Sequence, residues 1–379
     1  MSFNISLKTK IHFGTNIVEK ALNDEAQNII GNVLIVTTGR TLVKKGYVDS
    51  LYNILKTNNR VNQVLVYDKV SGNPKISEVE EAISIGRESD VNIVIGFGGG
   101  SSIDAAKAVA VGIGAKNPIE NYLFNGMIPG KETLPIIAIP TTAGTGSELS
   151  KGAIITSGEK KIKTGIRGEN IIPKIAIVDA AYTLTVPDKI SMETGFDVLA
   201  HAIEAYVSQK ANMFSEMLSE KAIRIVAEYL PIIHANPNNI NAREQLSYAS
   251  MLMGLNLANV GTCLPHRMQY PIGGVTESSH AEGLVALYPS WIYHQYRVNE
   301  NKINNILYYM DLPKPGNAKA AKSEFQQFMN NLGLDYNLRR LGISEKDVDM
   351  LCDKVTGNIQ NDKLADKPDI IKIIYTESM

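Results

Sequence analysis

Four side chains of the types that bind metal ions stand in two pairs in the second half of the chain. In "TGFDVLAHAIEAY", Asp197 and His201 are four residues apart, which places both on one helix face. "LPHRMQYPIGGVTESSH" supplies His266 and His280. One carboxylate and three imidazoles suit a divalent first-row metal with open coordination positions. Periodicity alone does not show that the pairs converge. The alternative is that Asp197 caps its helix and His201 is an ordinary buried histidine.

A glycine-rich turn in the first half suits a phosphate group. "VNIVIGFGGGSSIDAAKAVA" reads as a strand, a turn and a helix. Gly98, Gly99 and Gly100 allow close approach of the backbone, and the free N–H groups of the new helix attract an anion, with Ser101 and Ser102 as further donors. The G-x-G-x-x-G pattern fails because Ser101 stands where the last glycine is required. The alternative is a tight turn that needs glycine only for its backbone conformation.

A second loop of small polar residues, "IPTTAGTGSELS", also follows a predicted strand and contains Thr141, Thr142 and Thr145. In a parallel sheet both loops lie at the carboxyl edge, where ligands bind. Two such loops favour a long phosphorylated ligand such as a dinucleotide.

The elements around these motifs indicate two domains. Apolar, β-branched runs alternate with helical patterns up to about Pro187, which predicts a parallel sheet covered on both faces. The remaining pattern is helical. The sequence therefore predicts an α/β domain with a Rossmann-like sheet, residues 1–186, and an all-α domain, residues 187–379, with a cleft between them.

Composition limits the class of protein. The 379 residues are 44% hydrophobic and 20% charged, which is typical of globular enzymes. A net charge of −1 argues against nucleic-acid or membrane-surface partners. The two cysteines form neither a disulfide framework nor a CxxC metal motif. We expect a cytoplasmic enzyme.

Taken together, the motifs resemble the iron-containing (group III) alcohol dehydrogenase family, which is related in fold to dehydroquinate synthase. The resemblance rests on "GFGGGSSIDAAKAVA", "IPTTAGTGSE", "GFDVLAHAIEAYVS" and the two histidines fourteen residues apart, and it covers essentially the whole chain. It implies that Asp197, His201, His266 and His280 bind one divalent metal, Fe²⁺ in preference to Zn²⁺. It also implies that the glycine and threonine loops bind a nicotinamide cofactor, with contacts from Asn73 and Lys163.

Three departures from the family pattern bear on cofactor and substrate. Gly39 stands where relatives that use NAD commonly place an acid, and Arg40 follows it, so we expect NADP(H) rather than NAD(H). Tyr270 replaces a histidine near the nicotinamide, and a tyrosine hydroxyl exchanges protons less readily at neutral pH. Arg267 directly follows the ligand His266 and would suit a substrate with a carboxylate, phosphate or phosphonate group. The alternatives are that Arg40 points into solvent and that Arg267 is exposed or salt-bridged.

These features predict a metal-dependent dehydrogenase that transfers hydride between a nicotinamide and a small aldehyde or primary alcohol. The favoured substrate is phosphonoacetaldehyde, and the resemblance implies a homodimer or larger assembly. The alternatives are a general short-chain alcohol dehydrogenase, a non-redox lyase on the same fold and a metal-structured binding protein without catalysis.

Overall fold

The computed structural model describes residues 3–38, 40–160, 162–276 and 278–379. The chain forms two compact units. One comprises Ser6–Thr185, and the other comprises Val186–Met379 together with the N-terminal residues up to Ile5.

The first unit is an α/β unit. Its strands are β1 (Lys10–Gly14), β2 (Gly31–Val36), β3 (Val61–Tyr67), β4 (Val91–Gly98), β5 (Ile136–Pro140), β6 (Gly152–Ser157), β7 (Ile162–Arg167) and β8 (Ile175–Asp179). Its helices are α1 (Val18–Asp24), α2 (Arg40–Lys44), α3 (Tyr47–Thr57), α4 (Ile76–Glu88), α5 (Gly100–Gly114) and α6 (Ile119–Phe124). Six strands form one parallel sheet in the order β1-β8-β5-β4-β2-β3.

Successive side chains of a strand point to opposite faces of the sheet, and in this sheet both sets are apolar, which explains why helices cover both faces. In β2, Leu34 and Val36 pack with α4, α5 and α6, whereas Val33 and Ile35 pack with α1 and α3. All four side chains are fully buried. Continuous apolar strands of this kind are stable only between two layers of helices. The predicted Rossmann-like sheet is confirmed.

The strand order places the glycine loop where such sheets bind ligands. Strands β2 and β4 are neighbours, but β2 leads to β3 at one edge and β4 leads towards β5 on the other side. The carboxyl ends of β2 and β4 therefore form a topological switch point, the usual ligand site of open α/β sheets. Gly98 is the last residue of β4 and lies at this point.

One element of this unit was not predicted. Strands β6 and β7 form a separate antiparallel hairpin in which Thr156 pairs with Lys163. The hairpin is tied to the loop after β3, because the amide of Thr156 donates to the carbonyl of Pro74 at 2.7 Å. Both strands mix charged and small residues with isoleucine, so their alternation is weaker than that of the buried strands.

The second unit is helical, as predicted, and contains no strand among its described residues. Its helices are α7 (Asp188–Val207), α8 (Met213–Ala235), α9 (Ile240–Asn259), α10 (Leu264–Val275), α11 (His280–Tyr296), α12 (Glu300–Tyr309), α13 (Ala318–Asn331), α14 (Val348–Asp353) and α15 (Ile370–Glu377). Helix α7 packs against α8, α9 and α11 and is buried along almost its whole length. Along the described residues, no helix combines the length and apolar character needed to cross a membrane.

Candidate functional site

Helix α7 carries a stripe of buried polar residues, Glu193, Asp197, His201 and Glu204. Successive members lie three or four residues apart, so they share one face of the helix. The remainder of α7 is mainly apolar. Burying titratable groups among apolar helices costs free energy unless each has a partner, so the partners indicate what these groups do.

The four predicted metal ligands meet at one point. The Nε2 atoms of His266, His280 and His201 lie 3.3, 3.5 and 3.8 Å from Oδ1 of Asp197. His266 lies in the first turn of α10 and His280 is the first residue of α11, so three helices supply the side chains. The rings of His201 and His266 stack with centroids 4.4 Å apart. The structure thus shows that the pair Asp197 and His201 meets the pair His266 and His280, which their spacing along the chain could not show.

Two of these histidines are held at their other ring nitrogen. Nδ1 of His266 donates to Oε1 of Glu204 at 2.6 Å, and Nδ1 of His280 donates to Oε1 of Gln269 at 2.6 Å. Because Nδ1 of each ring is turned towards its acceptor, Nε2 is the atom that faces Asp197 and would bind a metal ion. This arrangement fixes both the tautomer and the orientation of each ring.

Sequence reasoning missed both acceptors, of which Glu204 is held by further hydrogen bonds. Glu204 Oε2 accepts the backbone N–H of Cys263 at 2.7 Å, and Oε1 also accepts the hydroxyl of Tyr288 at 3.2 Å. Gln269 is fully buried. Glu204 and Gln269 each stand three residues after a predicted ligand, so a search for polar residues one helical turn beyond the ligands would have found them.

Burial and charge set the protonation of the cluster. Burial raises the pKa of Asp197, but His201 and His280 outweigh it and hold that pKa well below its usual range. Burial lowers the pKa of His201 to about 4, against the opposing effect of Asp197. Burial also acts to lower the pKa of His266, but Glu204 and Asp197 outweigh it and raise the pKa to about 9. Without a metal ion, the cluster therefore contains an ionised carboxylate at Asp197, a neutral imidazole at His201 and a protonated imidazole at His266, whose proton a binding metal ion would displace.

The atoms that face one another here are those that lack hydrogen bonds. Oδ1 of Asp197 and Nε2 of His266 are buried and have no hydrogen-bond partner among the described residues. Donor atoms of Asp197, His201 and His266 all lie within 4.8 Å of one another. Ligands at about 2.1 Å from one ion are ~3.0–3.4 Å apart, so the 3.3, 3.5 and 3.8 Å between Oδ1 of Asp197 and the three imidazole nitrogens need only small adjustments to hold an ion. Imidazole and carboxylate donors in this arrangement fit a divalent first-row metal ion.

Arg267 is buried and has no counter-ion among the described residues. The exposed fraction of Arg267 is only 6%, and its Nε has no hydrogen-bond partner among the described residues. Within the described parts of the chain it makes no hydrogen bond and no ion pair. The guanidinium lies over Gly357, where a Cβ would be 3.4 Å from Nε, and its Cζ is 5.8 Å from the ring centroid of Tyr270. The Tyr270 ring is in turn 6.3 Å from that of His280. Arg267 is thus not exposed, and it forms no salt bridge with the part of the chain that the structure describes.

The glycine loop has the expected geometry. Gly98 has φ 147°, a conformation that favours glycine, and a Cβ there would lie 2.3 Å from Oγ of Ser102. The next two glycines, Gly99 and Gly100, cap and begin α5, and the N–H groups that open a helix have no partner in a preceding turn. In α5 the N–H of Ser102 already donates to the carbonyl of Gly99 at 3.0 Å, which leaves those before it to face a ligand. Oγ of Ser102 is buried and has no hydrogen-bond partner among the described residues.

The threonine loop lies directly on the glycine loop. The amide of Thr141 donates to the carbonyl of Gly98 at 2.9 Å. A Cβ on Gly99 would lie 3.3 Å from Oγ1 of Thr142, and one on Gly100 would lie 2.6 Å from Cγ2 of Thr145. The two loops that the sequence predicts to share a ligand are therefore in contact.

Asn73 and Lys163 are brought towards the same edge by backbone contacts. Oγ of Ser101 donates to the carbonyl of Gly72 at 2.6 Å, which ties the loop of Asn73 to the glycine loop. Lys163 pairs with Thr156, and Thr156 is bonded to the same loop. Burial lowers the pKa of Lys163 to about 8. Gly39 and the side chain of Arg40, which carry the NADP(H) prediction, lie outside the described residues.

Comparison with known proteins agrees with this geometry. Residues 8–180 match the model of the family described as "Iron-containing alcohol dehydrogenase", and residues 191–378 match "Fe-containing alcohol dehydrogenase family, C-terminal". The 1,3-propanediol dehydrogenase of Klebsiella pneumoniae is 30% identical over 88% of this chain and 87% of its own length. The mitochondrial hydroxyacid-oxoacid transhydrogenase of Xenopus tropicalis is 32% identical over 72% of this chain and 64% of its own.

A solved structure is similar over the full length. The sulfoacetaldehyde reductase of Bifidobacterium kashiwanohense in complex with NAD⁺ is 26% identical, with a TM-score of 0.88 over 100% of this chain and 98% of that one. The chain belongs to the iron-containing alcohol dehydrogenase family and is an oxidoreductase of the alcohol dehydrogenase class.

Proposed function

We propose that this protein reduces a small aldehyde that carries an anionic group, using a nicotinamide cofactor and a divalent metal. Family membership gives the class of reaction, in which a hydride adds to the carbonyl carbon and a proton to its oxygen. The proposal of an anionic substrate rests on Arg267, which directly follows the ligand candidate His266, is buried and has no counter-ion among the residues that the structure describes.

The buried charge of Arg267 is costly unless an anion pairs with it. An unpaired guanidinium in a protein interior costs several kcal/mol, which a bound oxyanion offsets through charge-assisted hydrogen bonds. Guanidinium matches carboxylate, sulfonate and phosphonate oxygens with two parallel N–H groups. Arg267 has its Nε–H available for such a bond.

The names of two relatives support an acidic substrate, and a third supports the alternative. A sulfoacetaldehyde reductase and a hydroxyacid-oxoacid transhydrogenase both act on anionic compounds by name. The 1,3-propanediol dehydrogenase acts on a neutral diol by name, which corresponds to a general alcohol dehydrogenase. Among anionic aldehydes we propose phosphonoacetaldehyde, whose product would be 2-hydroxyethylphosphonate.

Asp197, His201, His266 and His280 would hold the metal, with Fe²⁺ preferred to Zn²⁺. A bound divalent ion acts as a Lewis acid that polarises a carbonyl oxygen. Glu204 and Gln269 keep two of the imidazoles oriented, and Arg267 orients the anionic end of the substrate. Tyr270, half-buried between Arg267 and His280, offers a hydroxyl for hydrogen bonding to the substrate.

The α/β unit would bind the nicotinamide cofactor at its switch point. The first turn of α5 offers N–H groups to the pyrophosphate, and the threonine loop lies against it. A preference for NADP(H) rests on Gly39 and Arg40 in the sequence. The sulfoacetaldehyde reductase is in complex with NAD⁺, so both cofactors belong in the test.

The test compares phosphonoacetaldehyde with propanal in an anaerobic assay of Fe²⁺-loaded protein, following NADPH and NADH. We expect a higher kcat/KM for phosphonoacetaldehyde, and a loss of about a hundredfold in Arg267→Ala for that substrate with little change for propanal. Arg267→Lys should recover only part of the loss, because an ammonium lacks the planar fork of donors.

Arg297→Ala is the matched control, since Arg297 lies in the same unit and is exposed. Its kinetics should equal those of the wild type with both aldehydes. Equal turnover of propanal and phosphonoacetaldehyde, unchanged in Arg267→Ala, would instead identify a general alcohol dehydrogenase.

A further inference from the structure

Lys107 is a fully buried lysine of the α/β unit that takes no part in the proposed reaction. Lys107 lies two turns into α5, the helix that begins at the glycine loop. Its Nζ is within hydrogen-bond distance of five oxygen atoms, namely Ser147 O at 2.7 Å, Ser147 Oγ at 3.0 Å, Ser150 O at 3.0 Å, Ser150 Oγ at 3.1 Å and Gly152 O at 2.8 Å. All five belong to the end of the threonine loop and the start of β6.

Asp104 makes complementary contacts one turn earlier on α5. Its Oδ1 accepts the hydroxyl of Ser147 at 2.5 Å, and its Oδ2 accepts the backbone N–H of Ile154 at 2.9 Å. Asp104, Lys107 and Ser147 together form what we term the α5 clamp. It connects the helix after the glycine loop to the segment that follows the threonine loop.

The clamp reaches the cofactor loops through one further hydrogen bond. The backbone N–H of Ser147 donates to Oγ1 of Thr145 at 3.2 Å. Thr145 lies against Gly100 so closely that a Cβ on this glycine would be 2.7 Å from the same Oγ1. The position of Thr145 beside the first turn of α5 therefore depends on Ser147, and the position of Ser147 depends on Lys107 and Asp104.

The choice of residue types argues against a purely space-filling role. An apolar side chain of similar length would fill the same volume without the cost of burying an ammonium group. Burial lowers the pKa of Lys107 to about 8, although Asp104 and Glu148 oppose this effect. Each hydrogen bond of Asp104 and Lys107 requires a particular distance and angle, so together these bonds hold the loop in one geometry.

We propose that Asp104 and Lys107 are positioning residues for cofactor binding, which hold the threonine loop in the geometry that receives the pyrophosphate of the dinucleotide. This inference rests on the proposed function in so far as the two loops bind a nicotinamide cofactor. Asp104, Lys107 and Ser147 all lie in the α/β unit, whereas the metal-ligand candidates and Arg267 lie in the helical unit, so we expect loss of the clamp to act mainly on cofactor binding.

The test measures equilibrium binding of NADPH and NADH by fluorescence in Ser147→Ala and Lys107→Met. Ser147→Ala removes the hydroxyl shared by Lys107 and Asp104 and changes little else. We expect dinucleotide affinity to fall by on the order of tenfold in each variant, because buried partners lose their hydrogen bonds. The KM for the cofactor should rise while kcat at saturating cofactor and bound metal stay near wild-type values.

Lys56→Met is the control, because Lys56 is exposed on α3 of the same unit. Thermal unfolding of every variant separates loss of fold from loss of binding, and Ser147→Ala decides the matter if Lys107→Met does not fold. Folded variants that bind both dinucleotides as tightly as the wild type would overturn the positioning role. A wild-type protein that binds neither dinucleotide would overturn the proposed function and this inference with it.

Discussion

Nδ1 of His266 lies 2.6 Å from Oε1 of Glu204, and both groups are buried. The bond joins α7 to α10 across 62 residues of sequence and leaves Nε2 of His266 facing Asp197. A carboxylate behind a ligating imidazole fixes its orientation and increases its basicity. Glu204 thus supports the candidate metal site, although its carboxylate contacts Nδ1 of His266 and not the Nε2 that faces Asp197.

Glu204→Gln should weaken metal binding by roughly 10- to 100-fold, since a neutral amide replaces the carboxylate that orients His266. The measurement is the Fe²⁺ or Zn²⁺ dissociation constant by chelator competition. Glu228→Gln, an exposed change on α8, is the control. A metal affinity in Glu204→Gln equal to that of the wild type would show that Glu204 serves only to hold the start of α10.

Gln269→Met removes the acceptor from Nδ1 of His280 while keeping the length of the side chain. Metal affinity should fall, but less than in Glu204→Gln, because hydrogen bonds to a neutral acceptor are about half as strong as those to a charged one. The same chelator competition measures it. A larger effect than that of Glu204→Gln would contradict this ranking of the two partners.

Gly100→Ala should weaken cofactor binding without disturbing the metal site. The added Cβ would lie 2.6 Å from Cγ2 of Thr145, so the threonine loop must shift. We expect the dissociation constant for NADPH to rise by on the order of tenfold, as titrated by fluorescence. Gly158→Ala is the matched control, because a Cβ at that glycine meets no atom within 4 Å. Unchanged binding in Gly100→Ala would place the pyrophosphate elsewhere.

Glu148 predicts a pH dependence of stability. Burial raises its pKa from 4.5 to about 7, although its own backbone N–H and Lys107 oppose this. Between these two pH values the folded protein holds a proton that the unfolded chain releases, so the stability that Glu148 contributes is present below pH 4.5 and is lost as the pH rises through about 7.

Glu148→Gln should therefore gain stability relative to the wild type over this interval, by as much as about 3 kcal/mol in the free energy of unfolding. Urea unfolding at a series of pH values measures the difference, with the exposed Glu80→Gln as control. A difference between variant and wild type that stays constant from pH 4.5 to 7 would show that the buried carboxyl does not titrate there.

The sequence by itself determined the features that depend on local periodicity. Alternating apolar residues predicted the strands of the parallel sheet, and the four-residue spacing of Asp197 and His201 placed them on one helix face. The hairpin of β6 and β7 was missed, because its mixed composition gives a weak alternation.

Only the tertiary structure decided which distant side chains meet. His266 and His280 reach Asp197, Glu204 supports His266, and Lys107 reaches Ser147 across 40 residues, all through the packing of whole helices and loops. It also showed Arg267 to be buried without a counter-ion among the described residues. A helical period fixes neighbours within about one turn, whereas contacts between elements depend on how their apolar faces pack, which no spacing along the chain encodes.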